Sequence, residues 1–172
     1  MARAIDVADF IIQESNRLGH PVTNLELQKY MYFCHARSLV DYDKPLIEDE
    51  KIEKWRYGPV SEIAYHEYKN YGVNSIIEPD THLKFNQKTS EIEISNFDES
   101  NLTSVEKKLI RKTVEKLKQY SGFELVDMTH EHNSWRKDEE AILNGVQNLE
   151  YKNDDIKSDF INNKGFRIWE VK

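Results

Sequence analysis

Residues 27–40 of this chain read LQKYMYFCHARSLV. Apolar and aromatic residues fill this stretch almost without interruption, so a helix formed here is expected to be buried on more than one face. Thr23 and Glu26, just before it, have the spacing of a capping box, in which the two side chains satisfy free backbone N–H groups at a helix start. We therefore predict a central helix that ends near Val40.

Helical patterns also lie on both sides of this central helix. Apolar residues recur at helical spacing over residues 4–18, and a Gly-His-Pro sequence then ends the pattern. Thr103 with Glu106, and Ser121 with Glu124, repeat the capping-box spacing. Each pair predicts the start of another helix.

The last part of the chain carries weaker patterns. We predict one helix between Ser134 and Gly145, and a last helix that contains Ile156 and Phe160. The final FRIWEV, residues 166–171, is rich in strand-forming residue types and predicts a strand.

The sequence WRYGPV, residues 55–60, follows a short extended segment. Gly58 can adopt backbone angles closed to other residues, and Pro59 is favoured in the first turn of a helix. We predict a joint at which a strand turns into a helix, with Val60 on the buried stripe of that helix and Gly72 closing it.

A second β-structure is predicted further along. Leu83 and Phe85, then Ile92 and Ile94, alternate with polar residues on either side of the turn sequence NQKTS. This pattern indicates a β-hairpin whose exposed face is polar. The predicted fold class is mainly α with a small β-hairpin or sheet (α+β), a compact helical domain around a central buried helix, with one domain over residues 1–172.

Composition limits the classes of function. The 172 residues carry a formal charge of −7, and no basic run stands out, so we expect no direct nucleic-acid partner and no membrane partner. The single cysteine excludes an internal disulfide, and the first ten residues lack the pattern of a secretory signal. We expect a cytoplasmic protein.

The sequence shows no set of residues that fits acid, base and nucleophile roles. Cys34 falls in the apolar stripe of the central helix, where a buried thiol is inert. A metal-dependent hydrolase or nuclease with a site around His35, His66 and His130 is the weaker alternative, because the histidine spacing matches no metal motif. We predict no catalytic residues, no metal and no cofactor.

Aromatic residues cluster around the Gly-Pro joint. Trp55, Tyr68 and Tyr71 fit the inward stripe and favour the core. Tyr65 and His66 fall off that stripe, and together with Tyr57 they are the candidates for a partner-binding surface.

Two segments resemble a known family. The stretch LQKYMYFCHARSLVDYDKPLIEDEKIEKWRYGPVSEIAYHEYKNYG and the later LVDMTHEHNSW, where a Thr-His pair precedes a Trp, are similar to signatures of the Panacea domain. This antitoxin domain of bacteria and phages includes SocA-like antitoxins and phage-associated proteins of the GepA type. The positions that carry the resemblance are Leu27, Gln28, Lys29, Tyr32, Phe33, Pro45, Leu46, Trp55, Tyr57, Gly58, Pro59, Val60, Tyr65, Tyr71, Gly72, Thr129, His130 and Trp135.

The resemblance implies an antitoxin that neutralises a cognate protein toxin by direct contact, with the toxin encoded by an adjacent gene. A role as a proteolytic adaptor is the variant implied by SocA-like members. A phage-borne inhibitor of another host or defence protein is the alternative, and a homodimer stays open. The acidic balance suits a basic toxin.

We interpret the motif residues other than Tyr57, Tyr65 and His66 as structural. Trp135 is expected to pack against the central helix, and His130 to bond an acceptor nearby. The remaining members of this structural set are Trp55, Gly58, Pro59, Val60, Tyr71, Gly72 and Thr129.

Overall fold

The computed structural model describes residues 2–172 and is mainly helical, with two small antiparallel sheets, as the sequence predicts. In chain order the elements are α1 (Ala4–Arg17), α2 (Asn24–Tyr42), β1 (Glu53–Trp55), β2 (Gly58–Val60), α3 (Glu62–Tyr68), β3 (His82–Asn86), β4 (Glu91–Ser95), α4 (Ser104–Leu117), α5 (Gly122–His130), α6 (Asn133–Arg136), α7 (Glu139–Leu143) and α8 (Asn153–Asn162). Short 3-10 turns lie at Lys69–Tyr71, Glu99–Asn101, Lys164–Phe166 and Ile168–Glu170.

Helix α2 forms the centre of the molecule, which confirms the prediction of a central buried helix. It contacts α1, α3, α4, α5, α8 and β2, so apolar side chains on several of its faces are covered. Tyr30, Tyr32 and Phe33 are all fully buried. The Cys34 thiol is buried too, and burial raises its pKa to about 12, which makes it an inert core residue.

Capping boxes begin three of the helices as predicted. In α2 the Thr23 hydroxyl accepts from the Glu26 N–H, while the Glu26 carboxylate accepts from the Thr23 N–H. The pairs Thr103 with Glu106 and Ser121 with Glu124 do the same for α4 and α5. Local sequence is enough to place these helix starts, because each box satisfies donors that the helix itself leaves free.

The predictions for the C-terminal part are partly wrong. The segment between Ser134 and Gly145 forms two short helices, interrupted near Asp138, whose carboxylate accepts from Lys54 Nζ at 2.6 Å. FRIWEV forms 3-10 turns in place of a strand. The consecutive residues Ile168 and Trp169 are both buried, whereas a strand would point them to opposite faces.

The Gly-Pro joint is a hairpin turn, which corrects the prediction of a strand leading directly into a helix. Gly58, Pro59 and Val60 form β2, antiparallel to β1, with Trp55 opposite Gly58. Helix α3 starts only after Ser61, whose hydroxyl accepts from the Ala64 N–H and so caps it. Pro59 is therefore a buried strand residue and does not begin a helix.

The predicted hairpin β3–β4 forms, and its register places Leu83 opposite Ile94 and Phe85 opposite Ile92. The prediction of a polar exposed face is wrong, because these four apolar side chains are 64% to 70% exposed. On the opposite face His82 is buried and ties the strand to the helical body.

His82 joins this hairpin to two helices. Its Nε2 lies 2.6 Å from Asp9 Oδ2 of α1, and its Nδ1 lies 2.9 Å from Glu67 Oε1 of α3. Only the doubly protonated ring can donate to both carboxylates. Burial lowers the pKa of His82, but these hydrogen bonds raise it, and the net pKa lies above the ordinary 6.5.

We expect the His82 contribution to stability to depend on pH. A group with a raised pKa in the folded state stabilises fully below its unfolded pKa, and this stability is lost as pH rises through the folded value. The difference in unfolding free energy between the parent and His82→Gln should therefore shrink as the pH is raised from below 6.5 to well above it. Chemical denaturation across this range measures it, and a constant difference would contradict the protonated bridge.

The buried residues form one hydrophobic cluster that extends from Ala2 to Trp169. That a single domain covers residues 1–172 stays a prediction. Within residues 2–172, no helix has both the length and the apolar character needed to cross a membrane.

Candidate functional site

Polar side chains of α2 form hydrogen bonds to the backbone of β2 and of the residue after it. The Lys29 ammonium is fully buried and donates to the Pro59 carbonyl oxygen at 2.9 Å. One residue earlier, Gln28 Oε1 accepts from the Ser61 N–H at 2.9 Å. The central helix therefore fixes both β2 and the start of α3.

The Thr-His and Trp motif residues hold the other side of the same hairpin. The His130 Nε2–H donates to the Arg56 carbonyl at 3.0 Å, and the Trp135 indole N–H donates to the Trp55 carbonyl at 3.0 Å. The two rings stack on each other with centroids 3.8 Å apart. The prediction for His130 is confirmed, and Trp135, 2% exposed, lies in the same core cluster as the α2 side chains.

Gly58 allows this close packing. Its φ of +90° is one that glycine adopts readily, and a Cβ there would lie 2.5 Å from Thr129 Oγ1. The Thr129 hydroxyl is itself fixed, because it donates to the Val126 carbonyl at 2.8 Å. The prediction that Gly58 tolerates no side chain is thus supported by both backbone angle and contact.

The candidate contact residues come together around Trp55, on what we call the Trp55 surface: Trp55, Tyr57, Tyr65 and His66. Tyr57 is 55% exposed at the hairpin turn, and the His66 side chain is 56% exposed. Tyr65 is half-buried, with its ring centroid 4.8 Å from that of Trp55 and 5.5 Å from that of His66. That this surface binds a partner stays a prediction.

Two cavities flank the Trp55 surface. One, of about 400 Å³, is lined by Trp55 and His66 together with Ile142 and Val146. The other, of about 280 Å³, is lined by Trp55, Tyr57 and Tyr65 together with Leu25. The surface is therefore indented on both sides, a shape into which side chains of another protein can insert.

Of the aromatic residues assigned to the core, Tyr68 is fully buried and its hydroxyl donates to Asp9 Oδ1 at 2.5 Å. Trp55 and Tyr71 are only half-buried. Helix α3 ends at Tyr68, earlier than predicted, and Gly72, with φ +57°, closes the 3-10 turn that follows it.

Sequence reasoning did not find the role of Lys29. The available signal was a lysine inside an otherwise apolar helical stretch, since lysine is almost never fully buried without a partner. Burial lowers its pKa to about 7.

The histidines proposed for a hydrolytic site lie in separate environments. His35 is buried, between Asn153 Oδ1 at 2.9 Å and the Ile47 N–H at 3.2 Å, whereas His66 is exposed and His130 stacks on Trp135. In the described part of the chain no three His, Cys, Asp or Glu residues are arranged to hold a metal ion.

These features define a class of protein: a mainly helical domain that presents an aromatic hairpin turn, held by side chains of its own core. The family model for the antitoxin SocA-like Panacea domain matches residues 27–136, and the chain belongs to this family. It is also similar to Antitoxin SocA of Caulobacter vibrioides (strain NA1000 / CB15N), 38% identical over 71 residues. The alignment covers 41% of this chain and 37% of that protein, so it spans well under half of the relative's length. No solved structure matches the chain.

We expect Gly58→Ala to destabilise the fold more than Gly145→Ala. Both glycines have positive φ, +90° and +86°, but a Cβ at Gly145 would meet nothing within 4 Å. In Gly145→Ala the added backbone strain alone should lower the free energy of unfolding, by about 1 to 3 kcal/mol. In Gly58→Ala the clash with Thr129 should lower it by about 1 to 3 kcal/mol more. Thermal and denaturant unfolding of both variants would show this, and equal losses would contradict the close approach.

Proposed function

We propose that this chain is the antitoxin of a toxin-antitoxin pair and neutralises its toxin by direct binding through the Trp55 surface. The observation that carries the proposal is the exposed Tyr57 on a turn whose flanking carbonyl groups are fixed by Lys29, His130 and Trp135. Family membership supplies the antitoxin role.

A rigid aromatic turn is suited to protein recognition. Tyrosine and tryptophan provide a large contact area with few rotatable bonds, and they are enriched in binding hot spots. Because the backbone of this turn is already held by the core, ordering it on binding costs little entropy. The cavities beside Trp55 give partner side chains a place to be buried.

The same contacts favour binding over catalysis. Lys29, Thr129, His130 and Trp135 each bond a group within the protein, and these bonds hold the hairpin and the helix beneath it. A scaffolding role accounts for the motif residues without any reaction. The relative that the chain resembles is itself named an antitoxin.

The β3–β4 hairpin offers a second exposed apolar surface. Its four apolar side chains, Leu83, Phe85, Ile92 and Ile94, lie on one face and are 64% to 70% exposed. Apolar patches of this kind are typical of contact sites between proteins. The β3–β4 face is therefore an alternative contact site for a protein partner, and experiments must distinguish it from the Trp55 surface.

The proposal also covers the origin of the toxin, the location of the pair and the fate of the bound toxin. The toxin is encoded by the adjacent gene, and the pair acts in the cytoplasm. Delivery of the toxin to a protease is a variant that uses the same contact. An isolated phage gene without a toxin neighbour would favour an inhibitor of another host protein.

Co-expression with the neighbouring toxin gene tests the contact surface. Tyr57→Ala with His66→Ala should leave the melting temperature nearly unchanged, because both side chains are more than half exposed. It should weaken complex formation by about 2 kcal/mol or more and reduce growth rescue, as expected for a hot spot. Pull-down and growth assays on the same strains give both readouts.

Tyr42→Ala is the matched control. Tyr42 is 50% exposed at the other end of α2, roughly 25 Å of helix away from the Trp55 surface. This variant should bind and rescue as the parent does. Loss of binding in Phe85→Ser with Ile92→Ser, but not in the Tyr57 and His66 variant, would move the contact to the β3–β4 hairpin. Full rescue without a detectable complex would contradict direct binding.

A further inference from the structure

The cavity beside Tyr57 and Tyr65 has an unusual charge for this protein. Lys29, Arg56 and Lys69 line it, and none of the lining residues that the structure describes is acidic. The chain as a whole carries a formal charge of −7. Two exposed cations, Arg56 and Lys69, and the partly charged Lys29 make this cavity a local positive site in an acidic protein.

These three cations are not neutralised by the protein. Across residues 2–172, no carboxylate lies within ion-pair distance of Lys29, Arg56 or Lys69, whereas Lys54, Lys137 and Lys157 each have an acidic partner at 2.6 to 2.7 Å. Arg56 and Lys69 are exposed and available to a ligand. Lys29 is closed off from solvent and acts through its charge.

The other residues that line this cavity suit the apolar part of an anionic ligand. Leu25 and Val60 supply aliphatic contacts, and the aromatic residues Trp55, Tyr57 and Tyr65 also line the cavity. The amides of Asn24 and Gln28 add polar groups to the wall. The volume of about 280 Å³ accommodates a single side chain or a small aromatic acid.

We propose that this cavity is an anion-binding site, which takes a carboxylate or phosphate group carried on an apolar or aromatic body. Arg56 and Lys69 donate to the anion, and Lys29 attracts it from the wall. If the Trp55 surface is the toxin contact, the site accepts an acidic group of the toxin. The site itself does not depend on that function, because it is testable on the isolated chain.

The position of Lys29 beside the cavity should couple anion binding to protonation of its amino group. With its pKa lowered to about 7 by burial, Lys29 is only partly charged near neutral pH. An anion nearby favours the charged form, so binding should take up a proton and weaken as pH rises above 7. Arg56, Lys69, Tyr57 and Tyr65 are the other ionisable side chains that line this cavity. His130 lies near Lys29, but burial lowers its pKa below 6.5.

The isolated protein can be titrated with phenylacetate, phenyl phosphate and, as the uncharged control, benzyl alcohol, in a buffer free of other strong anions. Nuclear magnetic resonance should show shifts at Trp55, Tyr57 and Tyr65 with either anion, and much weaker binding of the alcohol. Binding of phenylacetate alone would identify a carboxylate ligand, and binding of phenyl phosphate alone a phosphate ligand.

Variants locate the site. Lys69→Met should weaken binding of the anions by about tenfold, as should Arg56→Met, because each removes a charge-assisted hydrogen bond. Lys44→Met, which changes an exposed lysine elsewhere, should bind as the parent does. Phenylacetate, which stays ionised throughout, should bind at least about threefold more weakly at pH 8.5 than at pH 6.5. Lys29→Met should abolish this pH effect if it folds, and the exposed variants test the site if it does not.

Two results would overturn the proposal. One is the absence of any shift at the three aromatic residues up to about 10 mM of either anion, because a dissociation constant above that value would mean no specific binding. The other is equal affinity for benzyl alcohol, which would show an apolar cavity without anion recognition. Failure of toxin binding with intact anion binding would refute the Trp55 contact and leave this site standing.

Discussion

The buried ammonium of Lys29 is the constraint on which the arrangement around the β1–β2 hairpin depends. A charged group removed from water must find a polar partner, and here it finds the Pro59 carbonyl. Pro59 has no N–H to offer, but its carbonyl is free to accept. This one bond ties the central helix α2 to β2, and the Gln28 side chain accepts from the N–H of Ser61, the residue just before α3.

Four further family motif residues, His130, Trp135, Gly58 and Thr129, shape the same short hairpin. His130 and Trp135 bind the carbonyl groups of Arg56 and Trp55, and Gly58 lets Thr129 approach closely enough for the elements to meet. Motifs separated by about 100 residues in sequence thus meet at one turn. Under the proposed function, recognition of the toxin falls to exposed side chains such as Tyr57, which this scaffold holds in place.

How far sequence reasoning succeeded depends on whether the determining interaction was local. The capping boxes at Thr23, Thr103 and Ser121 were predictable, because each involves residues three apart. The turn at Gly58 was misassigned, since Gly-Pro suits both a hairpin and a helix start, and distant bonds from Lys29 and Trp135 decide between them. The exposed apolar face of β3–β4 was also missed, because alternation does not say which face meets the core.

Around the site, the gathering of Trp55, Tyr57, Tyr65 and His66 followed from their nearness in sequence, while the cluster of cations came from three separate elements.

Hydrogen exchange of the chain with and without its cognate toxin shows where the toxin binds. Exposed turns and short helices exchange quickly in a free protein and slow down when a partner covers or orders them. Binding through the Trp55 surface should slow exchange over residues 54–58 and 62–69 in the complex and leave residues 82–95 unchanged. Slowing confined to residues 82–95, or no change around Trp55, would contradict it.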